Sequence, residues 1–159
     1  YNYRMDELSA ALGLAHLSRL NDLLSGPDRV AAWYSERLAD MPGLVTPRIV
    51  PTTTRMSWFV YVVRLHPAVG RNAVMTDLAC QGIPTRAYFT PIHLQPFYAA
   101  RFGYRRGDFP RAEALGDACL ALPFYATLRA EDVDRVCRAL GAAIGRHGGR
   151  DLENATQIA

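Results

Sequence analysis

Only three runs in this chain have the length and side chains of a β-strand, and helix-patterned segments separate them. Ser57–Leu65 (S-W-F-V-Y-V-V-R-L) is rich in β-branched and aromatic residues and reads as a strand covered on much of both faces. Thr85–Thr90 and Cys119–Leu122 are shorter, and Pro123 closes the second of these. Strands so few and so short do not build a doubly wound sheet. The fold class they predict is α+β, with a small, mostly antiparallel sheet covered on one face by helices.

The helices are read from period and punctuation. Asp6 and Glu7 suit a helix start, and the segment from there to about Ser25 is apolar almost all round through Ala10, Ala11, Leu12, Leu14, Ala15 and Leu17. A helix of that kind needs cover on more than one side, so one side is expected to face another domain or subunit. Gly26-Pro27 is expected to break the chain, with a second helix from Pro27 to about Ala39. Residues 44–55, with Pro47 and Pro51, read as an irregular connection. Arg71–Gln81 is a predicted helix with Gly82 as its C′ residue. A loop over 91–96, a short helix near Phe97–Phe102 and a helix from Phe109-Pro110 follow. Val133, Val136, Leu140, Ala143 and Ile144 keep the i, i+3, i+7 spacing of one buried helix face. This order divides the chain into a helical segment over 1–40, a small α+β domain over 41–145 and a flexible tail over 146–159.

Composition excludes several classes of function. All 18 basic residues are arginine, so no step that needs a lysine amine is available within these residues. The net charge of +3 is too small and too scattered for a nucleic-acid binder. No apolar run approaches the length of a membrane span. Cys80, Cys119 and Cys137 form no C-x-x-C pair and read as reduced thiols in a cytoplasmic protein. His16, His66, His93 and His147 are too dispersed for a zinc site, and the dinucleotide, P-loop and nucleophile-elbow motifs do not occur. The chain opens without methionine and reads as a piece of something longer.

Three segments carry a family resemblance. Asn2-Tyr3-Arg4-Met5-Asp6-Glu7, followed by Ala10-Ala11-Leu12-Gly13-Leu14, resembles the N-Y-R-M-x-E-x-x-A-A-x-G-L signature of the DegT/DnrJ/StrS aminotransferases. Gly82-Ile83-Pro84-Thr85-Arg86, with Tyr88, Pro91, His93, Gln95 and Tyr98, is similar to that family's G-I-x-T-R-x-Y-x-x-P-x-H-x-Q-x-x-Y segment. Phe109-Pro110, Ala112-Glu113 and Leu120–Pro123 resemble its F-P-x-A-E and L-x-L-P ending. The resemblance spans roughly residues 1–145. It implies the aspartate-aminotransferase architecture (PLP fold type I), of which this chain would be the C-terminal small domain and the helix leading into it. It also implies amino transfer from an amino acid such as glutamate to a keto-sugar, usually nucleotide-linked, in a homodimer with active sites at the subunit interface. Pyridoxal 5′-phosphate (PLP) would be held mainly by a large domain that also carries the Schiff-base lysine, so the chain alone would be inactive.

The resemblance also implies roles for single residues. Asn2 matches an asparagine that reaches the partner subunit's PLP phosphate, for which its amide is a suitable neutral donor; otherwise it is a turn residue. Arg4 lies in the same loop and would meet a phosphate or steady the helix start. Tyr1 and Tyr3 would contact cofactor or sugar, or sit buried with satisfied hydroxyls. His93, in a proline-bounded loop near the expected substrate site, would donate to a substrate hydroxyl or phosphate, or order its own loop. Tyr88 and Arg86 share one strand face, which would point toward the cleft or remain ordinary sheet surface. Arg129 stands where the family often has Ser or Thr, which weakens the cap of the last helix. A non-catalytic binding or regulatory protein on the same scaffold is the alternative reading.

Overall fold

The computed structural model describes residues 3–148, so Tyr1, Asn2 and residues 149–159 lie outside the described residues. Six α-helices and four strands follow in the order α1 (Glu7–Ser18), α2 (Leu20–Leu38), β1 (Leu44–Val45), β2 (Tyr61–Leu65), α3 (Arg71–Cys80), β3 (Arg86–Ala87), α4 (Pro96–Phe102), α5 (Pro110–Ala118), β4 (Cys119–Leu122) and α6 (Ala130–His147), with a 3-10 turn at Ile92–Leu94 before α4. The sheet order is β1-β2-β4-β3, and every neighbouring pair is antiparallel. The α+β class and the small antiparallel sheet are as expected.

Pairing of β2 with β4 sets Tyr61 opposite Leu122 and Val63 opposite Leu120. With a side-chain period of two, Tyr61, Val63, Leu65, Leu120 and Leu122 share one buried face. Val30, Tyr34 and Leu38 of α2, Val74 and Leu78 of α3, and Val133, Leu140 and Ile144 of α6 complete the same core. The buried tyrosines are satisfied. The Tyr34 hydroxyl donates to the Pro123 carbonyl at 2.8 Å, and the hydroxyls of Tyr61 and Ser35 lie 2.9 Å apart.

Several local expectations are met by identifiable devices. Asp6 caps α1 by accepting from the Ser9 amide at 2.9 Å. Gly82 adopts φ 70°, and the Gly82 and Ile83 amides donate to the Ala79 and Leu78 carbonyls, both at 2.9 Å. This is a Schellman stop, with Ile83 and Leu78 buried against each other's end of the turn. Arg129 makes no side-chain cap for α6; its Nε instead pairs with Asp132 at 3.1 Å.

Other expectations are corrected. The strand expected over 57–65 begins only at Tyr61, and it is buried chiefly on one face, since Arg64 is exposed. Residues 44–45, read as irregular, form the edge strand β1. The strand expected over 85–90 pairs only at Arg86–Ala87, because Phe89 turns to φ 62° and ends the pleat. α6 continues through Arg146 and His147, where a flexible tail was expected to start. Both side chains hold Asp77 of α3, at 2.9 and 2.8 Å.

The helical segment departs most. The helix breaks at Arg19, not at Gly26-Pro27, and Pro27 lies inside α2. Gly26 serves a different purpose there: a Cβ at this position would meet the Ala126 Cβ at 2.9 Å and the Ala126 carbonyl oxygen at 3.1 Å. The glycine lets α2 lie directly on the loop after β4. In a free helix, replacing glycine by alanine stabilises by about 1 kcal/mol, but here the clash is with backbone and reverses the sign. Gly26→Ala is expected to lower unfolding stability by about 1–3 kcal/mol, read as a lower urea midpoint at unchanged m-value.

Candidate functional site

The loop after β3 is held by a buried carboxylate. Glu113, in the first turn of α5, is 6% exposed, and His93 in the 3-10 turn is 7% exposed. His93 Nε2 and Glu113 Oε1 lie 2.9 Å apart. The same carboxylate accepts from the Gly107 amide at 2.9 Å on each oxygen and from the Phe109 amide at 3.2 Å. Burial alone pushes the Glu113 carboxyl up, but the bonds from His93, Gly107 and Phe109 outweigh it and hold the group below its usual range. One side chain thus gathers the 91–95 loop, the turn at 103–109 and α5.

Backbone geometry makes this convergence possible. Gly107 has φ 102°, and a Cβ there would meet nothing within 4 Å, so glycine is required for conformation and not for space. Gly116 is required for space. Its Cβ would lie 2.7 Å from the Pro91 Cδ and 3.2 Å from the Phe89 carbonyl oxygen, so α5 packs closely on the residues leading to His93. Arg71 anchors the far end of α5 by donating from Nη1 to the Gly116 carbonyl.

Around this pair lies an aromatic surface. The His93 ring centroid is 4.8 Å from that of Phe109 and 6.4 Å from that of Tyr104. Tyr104, Phe102 and Tyr98 continue the row, and the Arg101 guanidinium lies 5.7 Å from the Phe102 ring centroid. Arg106 forms an ion pair with Asp117 at 2.8 Å.

The expected site residues are therefore placed as follows. His93 is tied to its own loop through Glu113. Arg86 is exposed and stands opposite Ala121, on the sheet face away from the core, and Tyr88 continues that face, its amide donating to the Cys119 carbonyl at 3.2 Å. Tyr88 is half-buried, and its ring contacts Phe89, with centroids 4.5 Å apart. Tyr3 and Arg4 are exposed ahead of α1, so the buried alternative for Tyr3 is not met. Tyr1 and Asn2 fall outside the described residues. Glu113 is the residue that reading by motif passed over. Its signal is the acidic position of the F-P-x-A-E segment, but nothing in the spacing says that it faces His93.

The exposed leucines of α1 form a separate surface. Leu8, Leu12, Leu14 and Leu17 are all more than half exposed, and no residue of α1 is buried. The all-round apolar sequence predicts cover on one side from within the domain, but the described residues bury no part of α1.

PLP, which the resemblance implies, needs a lysine to take its aldehyde; the chain has none, so the described residues do not make a complete PLP site by themselves. Among them there is also no cluster of three or more His, Cys, Asp or Glu able to hold a metal ion, and no helix long and apolar enough to cross a membrane.

Comparison with known proteins gives one consistent result. The model of the DegT/DnrJ/EryC1/StrS aminotransferase family matches residues 1–141. GDP-perosamine synthase of Caulobacter vibrioides is 39% identical over 142 residues, covering 88% of this chain and 38% of that protein. Spore coat polysaccharide biosynthesis protein SpsC of Bacillus subtilis is 35% identical over 144 residues, covering 88% of this chain and 37% of that protein. The solved structure of DesV from S. venezuelae aligns with a TM-score of 0.76 at 31% identity, over 87% of this chain and 36% of that one. The chain thus spans less than two-fifths of the length of these relatives.

Glu113 also sets a pH dependence. Its folded pKa lies below the unfolded value, so its stabilisation is present above about pH 4.3, the ordinary glutamate value, and is lost as pH falls through the lowered folded value. In urea melts at a series of pH values, the native chain is expected to exceed the E113Q variant in stability near neutrality. The gap should close below about pH 4.

Proposed function

The chain belongs to the DegT/DnrJ/EryC1/StrS aminotransferase family, and from that membership we propose that it is the C-terminal part of an enzyme that moves an amino group from an amino acid, glutamate foremost, to a nucleotide-linked keto-sugar. The observation that carries this reading is the alignment with GDP-perosamine synthase, which covers 88% of this chain yet only 38% of that enzyme. In this reading PLP is the cofactor of the complete protein. The lysine that binds it, and most of the residues that hold it, would lie outside these 159 residues.

The chain's own contribution is to close and line a site. The exposed leucine surface of α1 would pack against the remainder of the protein or the second subunit of a homodimer, where its burial removes apolar surface from water. Asn2 and Arg4, just ahead of that helix, would extend toward the partner subunit's cofactor phosphate, with Tyr1 beside them toward the sugar. Tyr88 and His93 would face the substrate, His93 on a loop kept rigid by Glu113. A rigid loop lowers the entropy lost on binding and keeps donors and acceptors in register with the sugar hydroxyls. The protein would act in the cytoplasm, with no part for nucleic acid or membrane.

The test uses the complete polypeptide. Purified with PLP, it is expected to show the visible absorbance of lysine-bound cofactor, and this should bleach on addition of glutamate; the 159-residue chain alone should show neither change. A complete polypeptide that binds no PLP would favour a non-catalytic binding protein on the same scaffold.

A further inference from the structure

Glu113 constrains the proton of the histidine it holds. An ionised carboxylate offers only acceptors. Glu113 accepts two backbone amides, and its Oε1 also lies 2.9 Å from His93 Nε2. The hydrogen of that last bond must therefore come from the imidazole. His93 makes no other hydrogen bond among the described residues, and no buried side-chain nitrogen or oxygen there lacks a partner. Its Nδ1 is therefore not sealed from solvent, although the residue as a whole is 7% exposed, and the ring lies against Tyr104 and Phe109.

We infer that Glu113 is a positioning residue that fixes neutral His93 as the Nε2–H tautomer and presents Nδ1 outward as a hydrogen-bond acceptor. A group meeting that nitrogen has to bring a hydrogen, which selects a hydroxyl over a phosphate oxygen. Given the proposed function, on which this last step rests, the ligand group is a hydroxyl of the keto-sugar. This narrows the sequence expectation, in which His93 donated to a hydroxyl or phosphate. The neighbours support a carbohydrate. Tyr104 and Phe109 are partly exposed and supply an apolar edge with a polar tip, which suits the faces and hydroxyls of a sugar ring.

Tautomers can be read directly by spectroscopy. Long-range proton–nitrogen correlation on the histidine-labelled complete polypeptide, at a pH where the imidazoles are neutral, is expected to show His93 as a single tautomer protonated at Nε2. A His93 protonated at Nδ1, or an even mixture, overturns the inference. H93Q identifies the signals; should that variant fail to fold, H93N assigns them.

A second measurement addresses the ligand. In the complete enzyme, assayed with the keto-sugar it aminates, H93Q keeps an amide donor for Glu113 but moves the acceptor from the ring Nδ1 position to an amide oxygen. KM is expected to rise roughly 3–10-fold, the worth of one neutral hydrogen bond, while kcat holds. A merely structural role would lower the urea midpoint and leave KM in place, which overturns the acceptor role. The tautomer measurement needs no catalysis, so a complete protein without amino-transfer activity would sink the functional reading without deciding this one.

Discussion

The antiparallel pairing of β2 with β4 is the constraint on which the rest of the structure depends. It joins segments far apart in the chain and sets Val63 against Leu120 and Tyr61 against Leu122. That register defines one apolar face, and three helices have their buried residues on it. A slip by one residue would turn Arg64 and the neighbouring small residues inward and the core set outward. The other edges of the sheet are short, so β1 and β3 add little pairing of their own. They serve to place the connection before β2 and the loop after β3.

The same pairing sets the geometry of the candidate site. β4 follows α5 without a gap, so the position of the strand determines where α5 presents Glu113. β3 lies on the other side of β4, and the loop it releases returns to that carboxylate through His93. A single acidic side chain then takes two backbone amides of the 103–109 turn and the His93 ring of the 91–95 loop. This is a local economy of donors, built from a glycine with positive φ and a loop bounded by prolines.

Much of this was legible in the sequence where one-dimensional period and punctuation dominate. The stripe Val133-Val136-Leu140-Ala143-Ile144 describes α6 because a helix buried on one side needs that spacing. Gly82 marks the end of α3 because a Schellman turn needs positive φ. What escaped depends on contacts between distant segments. Gly26-Pro27 looks like a breaker, yet the glycine answers to Ala126, a hundred residues on, and the proline is carried within a helix held by its packing. The bend falls at Arg19, where neither glycine nor proline warns of it. The extent of β3 was overestimated because Phe89, a residue with strong strand preference, adopts a left-handed turn. The pairing of His93 with Glu113 is legible only in three dimensions, although both lie within matching motif segments.

Gly116 ties these features together in a way that concerns variation among relatives. Because the Pro91 ring occupies the volume that a side chain at 116 would need, the shape of the histidine loop is keyed to a hydrogen atom on a different helix. Substitutions in the loop and at 116 are thus non-additive: a larger residue at 116 becomes tolerable only once the proline has gone, and a relocated loop frees 116 to change. Divergence in this loop would then proceed by paired replacements across this contact, and a loop transplanted from a relative without its matching helix would arrive misshapen.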